Sequence, residues 1–217
     1  MILIHPTYFP TILSYALLTQ SGEKILFEVS DYYEKQTYRS RMYIHSANGK
    51  QSLSVQVKHT HSDGKQIYKD VLISNDFDWQ KQHWRSLETA YRTSPYFEYY
   101  EDDLFPVFHK KFKYLLDLNL QTIESLNNLL ELDFPYQQTA VFQKEHTGTY
   151  DFRYLKNAKK QAEIVSKFPV YTQMFEDRNG FMPNLSILDL LFMEGPNATT
   201  YLKEIYKLVD ITGHHQD

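Results

Sequence analysis

The sequence predicts an α+β fold: an N-terminal antiparallel β-meander of about four or five strands, then a mainly helical C-terminal part. Three observations carry this expectation. Short apolar runs in the first third are punctuated by turn signals at "ANGK" (47–50) and "SDGK" (62–65). From residue 78 onward apolar residues recur at helical spacing. No internal repeat, Gly/Ser linker or composition shift divides the 217 residues, so one domain over 1–217 is expected.

The elements follow in order. "MILIHP" reads as a short strand running into a loop. "TILSYALLTQSG" (11–22) reads as a helix that Thr11 caps and Gly22 ends. "KILFEV" (24–29) is a buried-type strand. "TYRSRMYI" (37–44) alternates, and Asn48-Gly49 suits the positive φ of a type I′ hairpin turn. "QSLSVQVKH" (51–59) then returns antiparallel, and "QIYKDVLI" (66–73) adds another strand. Helices are expected at 78–92, at 94–119 with a bend at Pro106, and at 120–133. Residues 134–183 read as connections around one short helix. Two further helices, 184–194 and 197–210, precede a frayed tail; Asn184 is the expected N-cap of the first.

Bulk chemistry narrows the function classes. There are 23 Lys plus Arg against 27 Asp plus Glu, a net charge of −4, and no lysine-rich block, which argues against nucleic acid. Cysteine is absent, which excludes thiol nucleophiles and fits a reducing compartment. The N-terminus lacks a basic region, and no window reaches the roughly 18 apolar residues of a membrane span, so a cytoplasmic protein is expected. The aromatic load, 18 Tyr and 14 Phe, suits either flat hydroxyl-rich ligands or a core with wet edges. Neither a Gly-rich phosphate loop nor a nucleophile elbow is present, and the sequence names no cofactor.

Several side chains are candidates for chemistry. Arg39 and Arg41, two apart on an expected strand, stand about 7 Å apart and could clamp a carboxylate or diphosphate; pairing with Asp31 or Glu34 is the structural alternative. His83, on an apolar helical stripe, and His5, in a loop after the first strand, are the candidate catalytic bases; a core histidine bonded to a backbone carbonyl is the alternative for His83. Tyr8, between Pro6 and Pro10, could stack a sugar or plug the core. His59 and His61 form a His-x-His pair without an evident third ligand, so no metal site is assigned. Asp189 lies inside the apolar "NLSILDLLF" (184–192) and must be paired, hydrogen-bonded or part of a ligand pocket.

"HPTYFP", "YRSRMYI", "NGKQSLSVQV", "QHWRSLETAY" and "SPYFEYY", with "GFMPNLSILDLLFMEGP" near the end, together resemble the WbqC-like protein family. The match is colinear from about residue 2 to 202. The family's opening often reads Gln-Pro-x-Tyr-Phe-Pro, whereas His5 precedes Pro6 here. The resemblance implies a bacterial origin and an association with surface-polysaccharide (O-antigen) gene clusters. It brings no established catalytic residues. Two functions follow as expectations. One is a group transferase on a nucleotide-linked sugar, with Arg39, Arg41, Tyr8 and Asp189 binding a sugar nucleotide or other small anionic substrate. The other is a non-catalytic module that docks onto enzymes of the same pathway. The enzyme reading expects Arg39, Arg41, His83 and Tyr8 to converge within about 10 Å on one pocket.

Overall fold

The computed structural model describes residues 1–58, 65–209 and 215–216. In chain order the strands are β1 (Ile2–Ile4), β2 (Ile25–Phe27), β3 (Arg41–Ser46), β4 (Gly49–Ser54), β5 (Tyr136–Gln138), β6 (Thr149–Asp151) and β7 (His215–Gln216). The helices are α1 (Ile12–Gln20), α2 (Trp79–Tyr91), α3 (Phe97–His109), α4 (Leu115–Leu130), α5 (Ala162–Val165), α6 (Glu176–Asn179), α7 (Ile187–Glu194) and α8 (Ala198–Lys207). No helix among the described residues is long and apolar enough to cross a membrane.

The main sheet runs β5-β2-β1-β6-β7. Its first four members are parallel, with Ile25 opposite Tyr136 and Ile2 opposite both Ile25 and Tyr150; β7 pairs antiparallel with β6. The expected antiparallel meander is therefore overturned. β1 and β2 flank a helix, and a strand–helix–strand unit returns its second strand parallel to the first. Only β3 and β4 form an antiparallel hairpin, and they make a separate two-stranded sheet. Its turn is closed by Ser46 opposite Gly49, and positive φ occurs at Gly49 (96°) but at neither Ala47 nor Asn48, so it is not type I′.

The expected strand at 66–73 is instead a 3₁₀ turn, Tyr68–Asp70. Its amides are drawn to the loop after β2: Tyr68 N donates to Asp31 O at 2.9 Å and Lys69 N to Val29 O at 3.0 Å. The expected break between helices at 119/120 falls at 110–114 instead, so α4 carries Asn119 into the interior. β5 and β6 sit in the segment read as connections. Three polar-rich residues each give no periodic signal.

Helix α1 packs on α8 and touches α7, covering the sheet with Leu13, Tyr15, Leu17 and other buried side chains. Thr11 caps α1 as expected, its Oγ1 accepting from Ser14 N at 3.3 Å. Asn184 does not cap α7, a role taken by Ser186. Asn184 reaches across to α1 instead, where its Oδ1 accepts from Leu13 N at 2.9 Å.

Candidate functional site

Among the parallel strands, β2 and β5 lie on one side of β1 while β6 lies on the other, so the strand order reverses at β1. Open parallel sheets bind ligands outside the carboxyl ends of the strands at such a reversal. A cleft of ≈ 560 Å³ opens there, lined by His5 after β1, Asp31, Tyr32 and Glu34 after β2, Phe142 after β5, and Asp151, Arg153, Tyr154 and Lys156 at and after β6. Each parallel strand thus delivers side chains to one place.

His5 and Asp31 form the centre of this cleft. His5 Nε2 lies 2.9 Å from Asp31 Oδ2, and its Nδ1 is buried with no protein partner among the described residues. Asp31 Oδ1 accepts from Arg39 Nη1 at 2.8 Å and Oδ2 from Lys156 Nζ at 3.1 Å. Burial pushes the Asp31 carboxyl up, but the His5 hydrogen bond and the charges of Arg39 and Lys156 outweigh this and hold it well below the usual carboxylate range. Burial, helped by Arg39 and Lys156 and opposed by Asp31, lowers the His5 pKa to about 4. At neutral pH the carboxylate is therefore ionised and the imidazole neutral. An ionised carboxylate only accepts, so Nε2 carries the hydrogen and Nδ1 presents a bare lone pair.

Arg39 is fully buried beneath this pair. Its guanidinium lies 5.0 Å from the Tyr68 ring centroid and 5.4 Å from that of Tyr33, and donates to the Tyr32 carbonyl at 3.2 Å. Tyr68 in turn donates to the Pro6 carbonyl at 2.7 Å, while Asn119 of α4 donates to the Arg39 carbonyl at 2.7 Å. The 3₁₀ turn and α4 thus fix the floor on which Asp31 and His5 rest.

On the opposite wall Arg153 is engaged on every side. It bonds both Asp151 oxygens, donates to the carbonyls of Gln143 (2.7 Å) and Lys144 (2.6 Å), and lies 3.4 Å from Glu28 Oε2. Glu28, also fully buried, accepts from Thr139 Oγ1 at 2.8 Å and Ser30 N at 2.9 Å. The ion pair thereby ties the 139–144 loop, with Phe142, to the end of β6.

A family model described as the WbqC-like protein family matches this chain over residues 5–163 and 149–201. The chain belongs to that family. It is also similar to "Uncharacterized protein Rv1507c" of Mycobacterium tuberculosis, with 24% identity over 225 residues, covering 93% of this chain and 96% of that protein. No solved structure matches it.

In this WbqC-like chain the six candidate residues fall into four places. His5 lines the cleft and Arg39 lies directly beneath it. Tyr8 and His83 pair with each other in the interior, Tyr8 Oη lying 3.0 Å from His83 Nδ1 beside Trp79. Burial, opposed by a bond to the Ser54 backbone, lowers the His83 pKa to about 4. Arg41 opens β3 and bonds the Tyr43 hydroxyl at 3.3 Å. Arg39, Arg41, His83 and Tyr8 thus do not line this cleft together. His59 and His61 lie outside the described residues, and among those described no three His, Cys, Asp or Glu side chains could hold a metal ion.

Asp189 is fully buried and touches neither Arg39, Arg41 nor His83 through any hydrogen bond described. Its Oδ1 accepts from the Tyr91 hydroxyl at 2.5 Å, and its Oδ2 from the Tyr171 hydroxyl at 2.5 Å and Gln173 Nε2 at 2.9 Å. Burial raises its pKa against those three hydrogen bonds. These contacts tie α7 to α2 and to the 171–173 segment.

In the sequence Asp31 and Glu34 stand out as neighbouring acids and as salt-bridge partners for the arginines, while nothing marks Lys156 or Arg153. Parallel pairing of β1 and β2 was the missing signal. It would have directed attention to the residues just after each strand.

Proposed function

We propose that the cleft is the active site of a group-transfer enzyme of bacterial surface-polysaccharide assembly, acting on the sugar end of a nucleotide-linked precursor. The observation supporting this reading is the His5–Asp31 pair in the cleft lining, whose buried Nδ1 has no protein partner among the described residues. A hydroxyl or amine of the sugar donates to Nδ1 and attacks an activated group donor. A bond forms to the transferred group, the donor's leaving group departs with its bonding electrons, and the nucleophile's proton passes to Nδ1. Asp31 holds the tautomer and stabilises the imidazolium that forms. A base of such low pKa takes the proton late, once the attack has made that O–H or N–H strongly acidic. A cytoplasmic location goes with this role.

A thermal-shift panel of sugar nucleotides tests the proposal, because a ligand that binds only the folded chain raises its apparent stability. Stabilisation by one member, lost in His5→Gln, supports it. Silence across the panel rejects it. The second reading, a docking module for other enzymes of the pathway, draws support from the absence of a phosphate-binding loop. Retained binding to a pathway enzyme by a chain that ignores the panel would favour it.

A further inference from the structure

The guanidinium donors of this cleft are bound to protein acceptors, and Lys156 spends two of its three N–H groups on Asp31 and Glu34. Arg153 serves Asp151, Glu28 and two carbonyls, and Lys156 holds Asp31 and Glu34, the latter at 2.6 Å. Arg39 is enclosed by Asp31, the Tyr32 carbonyl and two aromatic rings. The start of α1 offers nothing further. Ile12 N donates to Leu185 O, Leu13 N to Asn184 Oδ1, and Ser14 N and Tyr15 N to Thr11. The amides that cradle phosphate in many parallel-sheet folds are therefore consumed within the protein.

What lacks a protein partner among the described residues is His5 Nδ1, a buried atom that needs a donor. Beside it stand the Glu34 carboxylate, which already accepts from Lys156, and the rings of Tyr32 and Phe142, the latter with the Arg153 guanidinium 5.6 Å from its centroid. Four carboxylates (Glu28, Asp31, Glu34, Asp151) stand in and behind the cleft against three cations (Arg39, Arg153, Lys156). Lys65 stands over the Tyr32 ring at 5.4 Å, outside the lining. The charged oxygens of a phosphate only accept, so a phosphate entering here competes with four carboxylates for the same cations. A primary amine donates two hydrogen bonds when neutral, the form that attacks, and three as an ammonium, which carboxylates attract and aromatic faces favour.

Resting on the active-site reading above, we propose that the group held in this cleft is a primary amine on a hydroxyl-bearing small molecule, and that phosphates stay outside. His5 Nδ1 and Glu34 are its acceptors, and Tyr32 and Phe142 cover its apolar face.

Calorimetric titration of the full chain with glucosamine, glucose and inorganic phosphate tests this. Glucosamine is expected to bind, glucose about tenfold or more weakly, a difference that isolates the amine, and phosphate not at all. Glu34→Gln and Tyr32→Ala alter side chains that are half-exposed, and each weakens glucosamine about tenfold; His5→Gln abolishes its binding. Phosphate binding that disappears in Tyr32→Ala and His5→Gln overturns the amine assignment while upholding the cleft as the site. Glucosamine binding unchanged in all three variants overturns both readings. Failure of the wild-type chain to bind any of the three probes overturns the amine assignment alone, since the sugar-nucleotide panel judges the cleft separately.

Discussion

His5 Nε2 donates to Asp31 Oδ2 across 2.9 Å, and this one contact orients the Nδ1 lone pair at the carboxyl end of β1. It also makes stability depend on pH. The His5 pKa falls from the usual 6.5 to about 4 in the folded chain, as does that of His83. Between those values the unfolded chain binds more protons, so stability is complete above about pH 6.5 and is lost as pH falls toward 4. Each histidine contributes of order 3 kcal/mol to this loss. Asp31, whose folded pKa is depressed, adds its own loss below about pH 4. Urea midpoints measured from pH 7 to 4 should drop steadily, and less steeply in His5→Gln. A flat profile contradicts the assignment.

Arg39→Lys tests the floor of the cleft. Lysine keeps the charge but loses the planar fork that reaches Asp31 and the Tyr32 carbonyl between two rings. The expected cost is about 3 kcal/mol, as for other disrupted buried pairs, read from thermal or urea unfolding. The Asp31 carboxyl should titrate higher when followed by carbon NMR.

Removing the Asp189 carboxylate leaves two buried tyrosine hydroxyls without their acceptor, while the Gln173 amide keeps the Met182 carbonyl. Asp189→Ala should therefore cost about 3 kcal/mol or more. Asp189→Asn keeps one acceptor and relieves the buried charge, so its cost should be clearly smaller. Equal losses in urea titrations of the two variants would show that bulk, and not hydrogen bonding, matters there.

The sequence offers His83 as the first candidate base and His5 as the second, and the cleft holds only His5. His83→Gln should lower stability by about 1–2 kcal/mol, since it disturbs the interior hydrogen bonds to Tyr8 and to the Ser54 backbone. Ligand-induced thermal shifts should survive in that variant and vanish in His5→Gln. The reverse pattern would move the site to the Tyr8–His83 pair.

Gly195 connects α7 to the turn before α8 at φ 54°, and a Cβ there would stand 2.6 Å from the Tyr96 ring. Gly195→Ala combines backbone strain with a steric clash. It should cost about 2 kcal/mol or more, seen as a lowered thermal midpoint.

Much of the local structure was legible. Apolar spacing marked α1, α2, α7 and α8, Thr11 announced the start of α1, and Asn48-Gly49 marked the bend between β3 and β4. The site was less so. His5 could be named from its place after the first strand, and Asp31 as a partner for Arg39. Arg153 and Lys156 lie more than a hundred residues beyond Asp31, in a segment without periodicity. Asn184 had the chemistry of an N-cap, but its Oδ1 accepts from Leu13 N of α1, 171 positions away in sequence.

The sequence by itself determined where the chain turns, which faces are apolar, and that an acid at position 189 must find partners inside an apolar helix. Those properties follow from side-chain periodicity and backbone preference, which are local. Only the tertiary structure decided that the sheet is parallel, that its order reverses at β1, and that His5 meets Asp31 while His83 meets Tyr8. Three-residue strands specify no partner of their own. Their pairing is set by the helices packed upon them, and the meeting of polar atoms distant in sequence is set by that packing.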